Sequence, residues 1–180
     1  MKSLLLHVCC ANCATIPIEL LQDQFKIKLL WYNPNIYPKK EYKRRLKQVK
    51  KLKKIYKLNL IKAPYHSKDW FALTKGLEQE PEEGKRCDVC FQMRLQKTAE
   101  IGHKKGFDYF ATTLTVGPQK RAEKVNQIGE DLAKKYDIKF YSADFKKKDG
   151  FKKSLDLSKK YNFYRQNYCG CIYSLINKND

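Results

Sequence analysis

The sequence predicts an α/β fold: a Rossmann-like parallel sheet with helices on both faces and a helical addition late in the chain. Short buried strands alternate with longer segments of helical spacing, which implies parallel strands joined by right-handed crossovers. The loops that close these strands would then share one sheet edge, the carboxyl edge at which such folds bind ligands. A length of 180 residues with 42% hydrophobic and 13% aromatic content suffices for a real core, so residues 1–180 read as a single domain.

Lys2 to Val8 is a short buried strand that ends directly in a first cysteine group, and Ala14 to Gln24 has helical spacing through Ile18 and Leu21. Cys9 to Cys13 therefore occupies a strand-to-helix turn. Ile27 to Tyr32 is a second strand, closed by the loop signal Asn33-Pro34-Asn35. From Pro38 a long helix follows, in which Tyr42, Leu46, Val49, Leu52 and Tyr56 recur every three or four residues and leave an outer face of Lys and Arg. Leu58 to Ala63 is a third strand, and Ser67 caps a helix from Lys68 to Leu77. The acidic stretch Glu78 to Glu83, closed by Gly84, is a loop. Cys87 to Lys105 is a helix whose first turn holds Cys87 and Cys90, with Gly102 and Gly106 loosening its end. Phe107 to Leu114 is a strand rich in aromatic and β-branched residues, Lys120 to Tyr136 an amphipathic helix, and Ile138 to Phe145 alternates like a strand. From Gly150 to the end the chain reads as mostly helical around Cys169 and Cys171. There is no internal repeat and no Gly-rich dinucleotide fingerprint.

Charge narrows the partners. The 38 Lys and Arg against 19 Asp and Glu give a net charge of +19, and such a field attracts polyanions, nucleic acid first among them. A lysine-rich proteome would raise the total, but the charge is clustered: eleven of the nineteen residues from Lys39 to Lys57 are basic, and Glu41 alone is acidic. The apolar run Leu4 to Val8 is too short for a signal peptide, and no stretch approaches the roughly 20 apolar residues that span a bilayer. The expectation is a cytoplasmic protein without membrane contact, in which thiols stay reduced.

The seven cysteines fall in three tight groups: Cys9, Cys10 and Cys13; Cys87 and Cys90; Cys169 and Cys171. Such short-range pairs suit iron-sulfur clusters and zinc, and only the fold can bring the groups together. Cys87 and Cys90 share one helix face, with the helix N-terminus favouring thiolate; a redox Cys-x-x-Cys disulfide is the alternative. Gly170 lets Cys169 and Cys171 turn both sulfurs inward, against the plainer possibility of two buried core cysteines. Cys9 and Cys10, if extended, diverge and serve different irons or different centres. Seven thiols exceed the four that a cubane cluster needs, and four plus three is a natural division, because three protein ligands leave a metal position open. Two structural zincs are the plainer alternative.

The residues together resemble a known family. His7-Val8-Cys9-Cys10-Ala11-Asn12-Cys13, Tyr32-Asn33-Pro34-Asn35-Ile36-Tyr37-Pro38 with Glu41-Tyr42 and Arg45, Cys87-Asp88-Val89-Cys90-Phe91 with Arg94-Leu95 and Thr98-Ala99, Thr112-Thr113-Leu114, and Leu157-Ser158-Lys159 leading to Tyr164-Arg165-Gln166 and Tyr168-Cys169-Gly170-Cys171 are similar to the QueH family of cobalamin-independent epoxyqueuosine reductases. The similarity runs from residue 3 to residue 174, and Asn12 departs from it at a position where proline is usual.

The resemblance implies reductive removal of the epoxide oxygen of epoxyqueuosine at the tRNA wobble position, the last step of queuosine synthesis. It implies a 4Fe-4S cluster with a neighbouring mononuclear iron, held by the seven cysteines, and a low-potential electron donor. An iron with an open position would polarise the epoxide oxygen while the cluster supplies electrons. His7, Asp88, Tyr164 and Tyr168 flank cysteines and are the expected proton sources, although His7 also suits a satisfied core histidine and Asp88 a helix-start carboxylate. Tyr32, Asn33, Asn35 and Tyr37 are expected at the substrate, with Arg45, Arg94, Lys120 and Arg165 holding phosphates or the modified base, Arg94 alternatively neutralising a cluster thiolate. Rival readings are a cluster-dependent tRNA thiolase of the ATP-pyrophosphatase type and a zinc-stapled RNA-binding module. The thiolase requires a glycine-rich phosphate loop where this chain has Cys9 to Cys13.

Overall fold

A computed structural model describes residues 1–118 and 120–176. Its centre is a five-stranded parallel sheet of β1 (Lys2–His7), β2 (Phe25–Trp31), β3 (Asn59–Lys62), β4 (Tyr109–Thr112) and β5 (Lys139–Phe140), in the order β3-β2-β1-β4-β5. The period-two alternation of a strand divides its side chains between two cores. Leu4, Leu6, Leu29, Trp31 and Ala111 enter one, with α1 (Ala11–Leu21) and α2 (Lys39–Ile55). Leu5, Leu30 and Phe110 enter the other, beneath α4 (Lys85–Lys104) and α5 (Ala122–Tyr136). Each fully buried Leu contributes about 2 kcal/mol by leaving water, so covering both faces is what holds the sheet together.

Several elements depart from the sequence expectation for identifiable reasons. α1 starts at Ala11, because Cys10 is its N-cap: extended at φ −162°, it accepts the Cys13 amide on its sulfur. Cys13 therefore lies in a helical turn, while Cys9 sits in a bend. α3 (Ser67–Leu73) has His66 at its N-cap position without a side-chain capping bond, leaving Ser67 as its first helical residue. Gly102 does not loosen α4; it stays helical and buried, where a Cβ would come within 2.6 Å of the Ile138 side chain. β5 is much shorter than Ile138 to Phe145, since after one further ladder bond from the Tyr141 amide to the Phe110 carbonyl the chain leaves the edge and stacks Tyr141 on Phe145. The late region is helical only in α6 (Gly150–Lys160) and α7 (Ile172–Ile176), and the expectation for residues 177–180 lies outside the described residues. Among the described residues no helix is long and apolar enough to cross a membrane.

The α2 pattern is as expected. Tyr42, Leu46, Val49 and Leu52 are buried together with Glu41 and Arg45, and Lys39, Lys40, Lys43, Arg44, Lys47, Lys50, Lys51 and Lys54 are exposed. The strand order places the switch point between β1 and β4, where His7 lies opposite Thr112. The two chains diverge there, and the crevice beyond their carboxyl ends is where a doubly wound sheet takes its ligand.

Candidate metal centre and substrate cavity

The first thiol group is built at that switch point. The Sγ atoms of Cys9, Cys10 and Cys13 all lie within 4.8 Å of one another, and those of Cys9 and Cys10 are 3.9 Å apart. The divergence expected of adjacent cysteines is thus overturned: the bend at Cys9 and the capping rotamer of Cys10 fold both side chains over the start of α1. Around one tetrahedral ion with bonds of ~2.3 Å, sulfurs sit about 3.8 Å apart, so this spacing suits a single metal. Thr113 supports the group, its hydroxyl lying 3.4 Å from the Cys9 amide and 3.5 Å from its sulfur. Hydrogen bonds from the Cys10 and Cys13 thiols pull the Cys9 pKa down, and bonds with Cys10 and then Cys9 push Cys13 up.

The second group comes from α4 and the C-terminal loop. Cys87 and Cys90 lie on the buried stripe of α4, which continues through Arg94, Thr98 and Gly102. Cys90 and Cys171 pack together with Trp70 of α3, and the charges of Cys169 and Cys171 act on both α4 cysteines. Burial raises the thiols of Cys87 and Cys171 and pushes Cys90 up to about 12. Metal binding must therefore displace protons from this group. No cysteine among the described residues is in a disulfide. Gly170 adopts φ +134°, and a Cβ there would meet Arg45 Nη1 at 3.1 Å and Ile36 Cγ1 at 3.3 Å, so the loop needs its glycine for both backbone and space.

Between the groups lies a cavity of about 520 Å³, lined by Cys9, Cys13 and Cys169 together with Asn12, Arg45, Arg94, Lys120, Arg165 and Tyr168. Lys120 is held by Glu82 and Glu83, each at 3.1 Å. Burial opposes its charge, but Cys169 and the two carboxylates outweigh that and raise its pKa.

The residues expected at the site divide by position. Arg45 reaches the cavity wall with its donors committed: Nε to Glu41 at 2.6 Å, Nη1 to the Cys169 carbonyl at 2.9 Å and Nη2 to that of Tyr168 at 3.1 Å. Its geometry is that of a clamp on the cysteine loop. Tyr168 lines the cavity and donates its hydroxyl to the Tyr37 carbonyl; burial and then Glu41 push its pKa up to about 12. Tyr164 donates to Glu41 under the guanidinium of Arg44 and lies outside the cavity lining. Asp88 pairs with Lys124 of α5 at 3.0 Å. His7 is wholly buried: Nε2 faces the Tyr32 carbonyl, which can only accept, so it carries the proton, and Nδ1 accepts from the Thr112 hydroxyl. Burial, then the charge of Arg94, lowers it to about 4, and a neutral, doubly bonded imidazole orients the two strand ends. Asn33 donates to the Val8 carbonyl, Asn35 is buried beside it in sequence, and Tyr32 packs on the second core. Tyr37 is partly exposed, in a shallow depression with Lys39 and His66.

Sequence reasoning missed Glu41 as the buried partner of Arg45, although it is the lone acid in a basic run four residues earlier. It also missed Thr113 and the Glu82-Glu83 pair, whose acidic loop folds back over Cys87 with the Glu83 amide 3.3 Å from the sulfur. Asn12 ties α1 to the late segment, donating to the Tyr164 carbonyl at 3.0 Å and to Gln166 at 3.3 Å.

Comparison with known proteins gives a consistent result. The family described as "Epoxyqueuosine reductase QueH" matches residues 4–177. A protein of that name from Streptococcus pyogenes serotype M1 is 40% identical over 178 residues, covering 96% of this chain and 70% of its own length. One from Thermotoga maritima is 34% identical over 186 residues, covering 100% of this chain and 94% of its own. Among solved structures, a "predicted subunit of tRNA methyltransferase" from Methanocaldococcus jannaschii superposes with a TM-score of 0.58 at 13% identity, covering 87% of this chain and 74% of the other. The U34-tRNA thiolase NcsA from Methanococcus maripaludis, described with its [4Fe-4S] cluster, gives 0.57 at 14% identity, covering 96% and 61%. These two likenesses extend to the fold.

Proposed function

We propose, from the premise that this chain belongs to the epoxyqueuosine reductase QueH family and is an oxidoreductase acting on epoxyqueuosine, that its substrate is the modified wobble base of a tRNA and that its seven cysteines hold two metal centres. The observation that carries this reading is the gathered trio of Cys9, Cys10 and Cys13 at the switch point, beside a cavity that Cys169 also lines. The donor sets fit the two groups. Cys9, Cys10 and Cys13 have the spacing of ligands to one ion and lie beside open space, which suits a mononuclear iron with a free position. Cys87, Cys90, Cys169 and Cys171 offer the four thiols that a 4Fe-4S cluster takes, Cys90 and Cys171 sharing an apolar cluster with Trp70. When bound, the two centres supply one-electron storage and Lewis acidity.

The reaction takes two electrons and two protons: both C–O bonds of the epoxide break, a C=C bond forms and water leaves. The chain's own contribution is to bind, orient and protonate. A cavity of about 520 Å³ admits a base taken out of its stack, and Arg165, exposed at the rim, is placed to meet its phosphates. The exposed lysines of α2 would carry the RNA backbone, and Tyr37 a neighbouring base. Of the residues expected to deliver protons, Tyr168 is the one in the cavity wall, and the Lys120 ammonium lines the same cavity as a second proton-bearing group. The electrons come from a low-potential donor, and the setting is cytoplasmic.

The fold shared with a tRNA thiolase does not favour thiolation, since family membership points to reduction and no glycine lies between Cys9 and Cys13 for a phosphate loop. The test is to incubate anaerobically reduced, metal-replete protein with tRNA carrying epoxyqueuosine and to analyse the nucleosides after digestion. Queuosine is expected; unchanged epoxyqueuosine, or ATP-dependent thiolation in its place, would overturn the reading.

A further inference from the structure

Three arginines are buried in this protein, and two of them are held by several acceptors each, although the Nε of Arg86 is also enclosed without a partner. Arg45 has Glu41 and two loop carbonyls. Arg86 donates Nη1 to the carbonyls of Leu77, Glu78 and Glu80 and lies over the Tyr173 ring. Arg94 is different. It is 2% exposed, its Nε donates to the Cys90 carbonyl at 3.2 Å, and its Nη2 is enclosed without a hydrogen-bond partner. Among the described residues no carboxylate pairs with it.

A guanidinium cannot shed its charge in a protein, and burying it unpaired is among the costliest arrangements a fold can keep. The groups whose negative charge reaches Arg94 are cysteines, and they belong to both sets: Cys90, Cys169 and Cys87 on one side, Cys9 on the other. The neighbouring cation, Lys120, is divided between the carboxylates of Glu82 and Glu83 and the thiols of Cys169 and Cys87, all on one side of the cavity. Arg94 also lines the cavity between the sets.

We propose that Arg94 is the shared counter-cation of the two thiolate groups, meeting the whole of their charge when the cysteines on either side are ionised around metal. Its enclosed Nη2 then donates to sulfur, and its charge sets the potential at which the four-thiol centre accepts an electron, because net charge and hydrogen bonds to sulfur govern that potential. Arg94 is a positioning residue acting through the metal centres, and this rests on the reading of the thiols as ligands.

The experiment compares wild type, Arg94→Met and Arg94→Lys in three measurements: the melting temperature of the metal-free protein, the rate at which a chelator strips metal from the loaded protein, and the midpoint potential of the cluster followed by paramagnetic resonance. Removing the charge is expected to leave the metal-free melting temperature unchanged or raised, to speed metal loss at least tenfold and to shift the potential to more negative values, whereas Arg94→Lys keeps the wild-type potential. Wild-type stripping and potential in Arg94→Met would overturn the proposal. So would an Arg94→Met chain that melts lower than wild type without metal or does not fold, since Arg94 would then be a packing residue, or an Arg94→Lys potential equal to that of Arg94→Met. Should the wild-type protein carry zinc and no iron, the cluster reading falls, and the stripping rates still decide the role of Arg94.

Discussion

Glu41 is the residue on which the late cysteine loop depends most indirectly. Its carboxylate fixes Arg45 and accepts from Tyr164, and Arg45 in turn holds the carbonyls of Tyr168 and Cys169. Replacing Glu41 by Leu strands a buried guanidinium, which typically costs about 3 kcal/mol, and urea unfolding of the metal-free protein should report a loss of that order. A loss below about 1 kcal/mol would mean that water reaches Arg45 and replaces the carboxylate. At this scale the sequence was only partly legible. The cysteines declared themselves by type and spacing, but Arg45 resembles every other basic residue of its helix until the i,i+4 acid is weighed beside it. The pairing of Cys9 with Cys10 was illegible for a different reason: the direction of two adjacent side chains depends on a backbone bend and a cap that no residue identity announces.

Among the elements, α2 was the most legible, because seventeen residues of regular spacing average out local ambiguity. Its outer face leads to a prediction. Lys43, Lys47 and Lys50 are exposed on successive turns, so changing all three to Gln should leave the melting temperature unaltered while weakening tRNA binding and reducing the slope of log affinity against log salt by about 2, at roughly 0.7 per lost phosphate contact. An unchanged slope in a filter-binding titration would move the RNA to another face. The short edge strand β5 and the irregular stretch after α6 were poorly legible. Alternation in Ile138 to Phe145 reflects packing against two neighbours instead of a ladder, and the conformation of residues 161–171 is set by α2 through contacts from Gln48 and Lys51 to backbone atoms of Tyr161, Asn162 and Tyr164.

For the molecule as a whole, alternation of strand and helix was enough to place the first cysteine group at the carboxyl edge, and the observed order β3-β2-β1-β4-β5 bears out the fold class. That Cys90 packs with Cys171, and that the charges of Cys169 and Cys171 act on both Cys87 and Cys90, is a tertiary fact that spacing could not supply. It predicts where the protein loosens when metal is withdrawn. On the proposed reading the late segment is anchored by metal bonds to its two thiols, beside the hydrogen bonds from Arg45 and from the Tyr37 amide to the Gly170 carbonyl at 2.7 Å. Chelation removes the first of these, and tryptic cleavage after Arg165 should accelerate about tenfold or more while the sheet resists, as expected of a locally unfolding unit. Equal cleavage rates with and without metal would mean that the hydrogen bonds alone hold the segment.

The position of Gly170 and its flanking cysteines after all five strands has a further consequence, for the order of assembly during translation. Chains leave the ribosome from the N-terminal end at about 5–20 residues per second. Cys9, Cys10 and Cys13 and their Thr113 support are made while the late loop is still unsynthesised, so on the proposed division of the thiols a nascent chain would carry the three-sulfur group before Cys169 and Cys171 exist. A metal carrier delivering ions early would then meet one of the two proposed acceptors, and the second would follow with the late loop.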